Sequence, residues 1–442
     1  MHTTLVAKRL SLTMLALLLA FVSVVAVTAL FGEHTKLFLL VVGVLLLSTS
    51  LAILGNPRLY CLWGLILTAP MDVDVSFMPI PHMGGAAAYT IDLVDFFLIP
   101  LILFLLRDLS MGRRRHLRLS PFAWLWGGLI VLGVISVILG PYRHVPLHEV
   151  VRMTKMLLLF LVFINEVVRV KQFKHVFAAL MVGLAIQCAV GLIQYLFEIN
   201  LGAQVLGEAA QSDVEYTSRA TYGEAEFTYR IGALFGHSNL LSIYLAMMMS
   251  IAIAMLFTRM NPIWKPLIGG LVLTGIVVLI LTLSRSGWVS FAIAFMALLG
   301  LSFVHPRVRR RFLLARAGLI GLTMLVIGAL SGPILKRIYE SDSGAISFRF
   351  EWMELAWRMI QAEPVLGVGL NTFIFEMAPY SDYGSITAIV ERFGPEQYLP
   401  VVHNIYLLIW AEQGTLGLLL FLGAYAYLMA TAWRNAKHYL NE

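Results

Sequence analysis

Charge is scarce in this chain: 13% of its 442 residues are Asp, Glu, Lys or Arg, whereas 60% are hydrophobic and the mean hydropathy is +0.84. That shortage excludes an ordinary soluble domain, in which about a quarter of the residues are charged. Cysteine is nearly missing. Cys61 and Cys188 both fall in apolar runs, which excludes a disulfide framework and offers no metal-ligand spacing. Internal repeats are lacking too, with no period of about 20 to 50 residues and no inverted symmetry between the halves, against a solenoid and against many secondary transporters.

Long apolar runs are what the chain has instead. Runs of about 17 to 25 residues, the length that crosses a bilayer core as a helix, recur from end to end. They predict an all-α, polytopic membrane protein of about twelve transmembrane helices, near 10–31, 37–54, 59–70, 91–106, 122–140, 154–168, 175–198, 240–258, 266–283, 288–304, 312–331 and 404–432. Basic residues are retained on the cytoplasmic side of short loops. With both termini inside, 20 of the 32 Lys and Arg fall in the cytoplasmic segments, and among the acids only Asp108, Glu166 and Glu442 do. The net charge of +7 therefore records topology and gives no reason to expect nucleic acid as a partner. The first run follows Lys8 and Arg9 and reads as an uncleaved anchor, being long for a signal peptide.

Two outward segments, 199–239 and 332–402, exceed what a connection needs, and long loops in compact proteins are usually functional. The organisation is thus 1–331, eleven transmembrane helices with a loop at 199–239; 332–402, a large outward loop with amphipathic helices; and 403–442, the last span and a cytoplasmic tail. Ser238 and Asn239 are candidate caps for the helix after the first loop.

Charges that intrude on apolar patterns mark candidate site residues. On a helix at 346–360, Glu351, Glu354 and Arg358 share a solvated face, with Glu354 and Arg358 spaced for an i,i+4 pair. Arg349 lies opposite, with Trp352, Met353, Ala356 and Ile360, where it needs an anion or a buried carboxylate. Arg285 emerges outside against the positive-inside tendency, and either binds an anion or snorkels to lipid phosphates. His403 sits at the outer boundary of the last span and Glu412 deeper, nine residues on and on the other side of the helix. Beside His403 run Ala411, Gly414 and Gly417, a small-residue track suited to close helix contact or to an acyl chain. His403 can meet a water-borne group; Glu412 needs an internal partner. Arg143, Arg152 and Lys155 read as headgroup contacts, and Asp92 and Asp95 as a wet helix end.

"HNIYLLIWAEQGTLGLLLFL" resembles the signature of the O-antigen ligase and polymerase superfamily, and "RIGALFGHSN", "LTLSRSGW" and "SFRFEWMELAWRMIQAEPVLGVGLNTF" are similar to its other landmarks, in order. Ser238 stands where the family pattern has proline. The resemblance implies a GT-C-like, inverting glycosyltransferase without metal or other cofactor, on the periplasmic face of the bacterial inner membrane. Its partners would be an undecaprenyl-diphosphate-linked O-antigen as donor, the lipid A core oligosaccharide as acceptor, and the surrounding membrane lipids. By the same resemblance Arg285 and Arg349 bind the diphosphate and His403 is the catalytic histidine, read here as the general base; Arg230, Asn239, Asn404 and Glu412 are candidate supporting residues. Guanidinium forks suit a diphosphate and stay charged. An O-antigen polymerase, with a carrier-linked glycan as acceptor, is the alternative; the large loop just before the last span favours the ligase. A protein O-oligosaccharyltransferase or a small-solute transporter fits less well.

Overall fold

The computed structural model describes residues 56–80, 85–198, 206–209, 219–222, 226–258, 260–304, 343–382 and 401–441, with isolated positions between them. In chain order the elements are α1 (Pro57–Thr68), β1 (Asp74–Phe77), β2 (Tyr89–Asp92), α2 (Asp95–Ser110), α3 (Pro121–Leu139), α4 (His144–Glu166), α5 (Val170–Phe197), β3 (Arg219–Tyr222), β4 (Glu226–Tyr229), α6 (Ser238–Leu256), α7 (Trp264–Leu281), α8 (Arg285–Val304), α9 (Ser343–Ala362), α10 (Phe373–Glu376) and α11 (Ile405–Asn441). Two two-stranded ribbons, β1 with β2 and the antiparallel β3 with β4, are added to the all-α expectation.

Nine of the twelve spans fall on described helices. The runs at 10–31 and 37–54, and all but four positions of 312–331, lie outside the described residues. Among the described residues five helices, α3, α5, α6, α7 and α11, are long and apolar enough to cross a membrane, and α8 holds a shorter apolar stretch, Arg285–Gly300. The fold is that of an integral membrane protein built mainly of helices. Helix starts follow local chemistry. Ser120 Oγ accepts from Phe122 N at 3.2 Å ahead of Pro121, a residue whose missing N–H is no loss at the first helical position.

The contacts divide the chain into two compact units. The first takes residues up to Asp74, Asp92–Leu101 and Arg169–Ser341. Its core is the packing of α5, α6, α7 and α8 around Leu184, Leu241, Leu245, Met249 and Val272, all fully buried. The second takes Val75–Ile91, Ile102–Val168 and Asp342–Glu442. In it α3 packs on α4 and α11, around Leu129, Val150, Met153 and Leu370, and α9 packs on the start of α11.

Three expectations change. α4 begins at His144, ten residues before the span read from hydropathy, because polar residues of its first half are buried in protein: His148 and Glu149 are both shielded. Arg152 and Lys155 consequently have protein partners where lipid headgroups were expected. Arg152 Nη2 meets Glu149 Oε1 at 2.8 Å, and Lys155 Nζ donates to Thr90 O at 3.1 Å. Asp95 is no wet helix end. It is buried at the start of α2 and accepts from Asp92 N at 2.9 Å.

Candidate active site

In the second unit, the site begins where α11 begins. Asn404 Oδ1 accepts from Tyr406 N at 3.1 Å and from Leu407 N at 3.3 Å, the behaviour of an N-cap. His403 therefore precedes the helix, in a bend and exposed, and is not on a helical face shared with Ala411. The imidazole stands beside Arg349. Partial burial, and then the positive charge of Arg349, hold its pKa below the ordinary histidine value.

Arg349 reaches that position through the apolar stripe of α9. Trp352, Ala356, Met359 and Ile360 are buried at helical spacing against Val402, Phe373 and Ala411. Arg349 continues the stripe one turn earlier but emerges exposed, where the sequence pattern had put it on the apolar face. No hydrogen bond or ion pair holds its guanidinium among the described residues. On the solvated face the i,i+4 pair is present: Arg358 Nη2 meets Glu354 Oε1 at 2.7 Å, and Arg358 Nη1 also binds Asp382. These bonds raise the Arg358 pKa and lower that of Asp382.

Glu412 has the internal partners its depth demands. Its two carboxyl oxygens accept from Asn371 N at 2.9 Å and Phe373 N at 3.1 Å, which caps the short α10 and fixes the turn before it. Asn371 Nδ2 in turn donates to Ala86 O and Val145 O, both at 3.0 Å. The small-residue track around it is not a helix contact. At Gly414 the backbone leaves helical geometry, with φ 65° and ψ −170°. Ala411 O and Glu412 O, which would accept from residues 415 and 416 in an unbroken helix, instead accept from Val368 N at 2.9 Å and Gly369 N at 3.0 Å. Thr415 N donates to Pro364 O at 2.9 Å. The Gly-rich turn after α9 is thus stitched into the break.

The first unit holds Arg285, Arg230 and Asn239. Arg230 Nε donates to Thr282 O at 3.0 Å and its Nη2 to Asn239 Oδ1 at 3.1 Å, so the landmarks at 230–239 and 281–288 meet. Ser242 Oγ joins them by a 3.0 Å bond to Ser284 Oγ. Arg285 opens α8 half-exposed, just after Leu283 turns the chain at φ 52°. Helix α6 is capped by His237, and not by Ser238 or Asn239: His237 Nδ1 accepts from Asn239 N at 3.1 Å. That fixes the neutral ring's proton on Nε2. Burial, and then Arg230, lower the His237 pKa.

Gln187 and Gln194 were missed in the sequence. Gln187 links Leu234 N to Pro70 O, and Gln194 links Ala233 N to Glu208, so both hold the turn that carries Arg230. Two amides seven apart in an otherwise apolar helix, on one face, were the available signal. Ser238 occupies the first position of α6 with its hydroxyl buried and unpartnered. His237 before it is extended, at φ −138° and ψ 128°, as a residue preceding proline prefers. Ser238→Pro is therefore expected to stabilise the chain by about 0.5 to 1 kcal/mol, read as a raised midpoint of thermal unfolding in detergent.

Among the described residues no group of three or more His, Cys, Asp or Glu side chains is placed to hold a metal ion. Apolar helices of spanning length define a polytopic membrane protein, and in its second unit the exposed Arg349 guanidinium and the His403 imidazole make a candidate anion-handling site. The family model of the O-antigen ligases matches residues 270–422, as the ordered motifs led one to expect. The matched stretch includes Arg285, Arg349, His403 and Glu412. The match supports a function of the O-antigen ligase or polymerase type in lipopolysaccharide biosynthesis. No curated protein and no solved structure matched the chain.

Proposed function

We propose that this chain is an O-antigen ligase: an inverting glycosyltransferase, independent of metal, that moves a glycan from undecaprenyl diphosphate to a hydroxyl of the lipid A core. The reading includes a GT-C-like arrangement of about twelve spans, with both termini cytoplasmic and the site on the periplasmic side of the inner membrane. One observation carries it: within the family-matched segment, the exposed Arg349 guanidinium lies near enough to the exposed His403 imidazole for its charge to lower the histidine pKa.

The chemistry divides among the residues as follows. The acceptor oxygen attacks C1 of the first sugar while His403 removes its proton, and the bond from C1 to the diphosphate oxygen breaks with inversion. A histidine whose pKa is lowered is neutral at physiological pH and ready to accept that proton. Negative charge gathers on the leaving diphosphate, where Arg285 and Arg349 neutralise it. Arg230 and Asn239 support Arg285 through the Thr282 carbonyl and the serine pair, while Asn404 and Glu412 position His403 and the turn at 369–373.

The test is transfer by the purified chain in proteoliposomes, given carrier-linked glycan and lipid A core. Arg285→Lys and Arg349→Lys are each expected to weaken donor use about tenfold or more, because a point charge does not reproduce the planar fork. Donor use unchanged in both variants would overturn the diphosphate role.

A further inference from the structure

The second unit contains an open cavity of about 340 Å³ whose lining the proposed reaction does not use. Its walls are the end of α3, the Gly-rich turn after α9, and the residues of and after α10. Glu363, Glu376, Tyr380 and Ser136 supply the polar side chains, and among the described residues no Lys, Arg or His lines it. A second hollow, of about 430 Å³, lies between α3 and α11 and is lined only by Gly128, Val131, Leu132, Leu416, Leu419 and Leu420. Leu132 borders both, so the polar cavity and the apolar groove are neighbours. Val131 and Leu419 are 59% and 60% exposed along that groove.

We infer that this pair of hollows binds an uncharged, hydroxyl-bearing lipid, with its saccharide headgroup in the cavity and one hydrocarbon chain in the groove. The charge on the walls selects the head. Sugar hydroxyls donate to carboxylates and accept from a phenol. A phosphate placed there would face Glu363 and Glu376 with no cation to offset them. Burial raises the Glu376 pKa, so this carboxyl is poorly solvated and gains from a hydroxyl partner. The site is distinct from the proposed diphosphate site: Glu363 follows Arg349 by fourteen residues, about 20 Å along the axis of α9.

The experiment uses the full chain in phosphatidylcholine nanodiscs doped with either monoglucosyl diacylglycerol or phosphatidylglycerol of the same acyl chains, with bound lipid read by native mass spectrometry. Saturable retention of the glucolipid, and not of phosphatidylglycerol, is expected. Glu363→Ala combined with Glu376→Leu removes the acceptors, and Val131→Trp fills the groove from an exposed position; each is expected to weaken retention about tenfold or more. Equal retention of the anionic lipid, or glucolipid retention unchanged in both variants, would overturn the inference. Lipid A core, which carries phosphates, is expected not to displace the glucolipid, and displacement would overturn the assignment to an uncharged lipid. Retention is read without turnover and is expected unchanged in His403→Ala, so a failure of the transfer reading leaves this result standing.

Discussion

His403→Ala is expected to slow glycan transfer by about 10²- to 10⁴-fold, the range that a positioned general base contributes. The protein should otherwise fold as before. The side chain is exposed, precedes the first turn of α11, and leaves the Asn404 cap untouched. Transfer at the original rate by this variant would end the proposal. The pH profile gives a second reading. The base must be neutral, and its pKa is lowered, so the acid limb of kcat/KM should lie below pH 6.5, with activity held above it. Arg349→Gln removes one of the two causes of the lowering. Its residual activity should therefore show that limb moved to higher pH, whereas an unmoved limb would separate His403 from Arg349.

Gly414→Val is expected to destabilise the second unit by more than about 4 kcal/mol, enough to remove a folded product from most preparations. Two costs combine. A φ of 65° with ψ near −170° is a conformation that β-branched residues do not adopt. A Cβ there would also lie 2.1 Å from Val365 O and 2.3 Å from Val365 C, backbone atoms that cannot swing aside. Gly270→Ala is the matched control, since its Cβ would meet nothing within 4 Å and it sits inside α7. The comparison is made by thermal unfolding and protease resistance in detergent; equal behaviour of the two variants would refute the role given to the break.

Helix positions were largely legible in the sequence because hydropathy and period are local. The apolar stripe of α9 and the Glu354–Arg358 pair follow from a wheel. What failed depended on partners distant in the chain. Arg152 and Lys155 look like lipid anchors until Glu149 and Thr90 stand beside them. Arg349 looks buried until its stripe is seen to end one turn short of it. Gly414 was placed in a close-contact track, since a glycine that admits a neighbouring backbone and one that turns its own look alike in a sequence. Glu412 was understood as needing an internal partner, but only the fold names the two amides that provide it.

The stitched break in α11 has a mechanical consequence. Bonds that would run down the helix pass sideways into residues 364–369, so the stretch carrying the imidazole is fastened to its neighbour more firmly than to the rest of its own helix. A bilayer that thickens or thins is accommodated by tilting of spanning segments. Tilt of residues 415–436 is therefore expected to be taken up at the Gly414 break, before it reaches the stretch that carries His403.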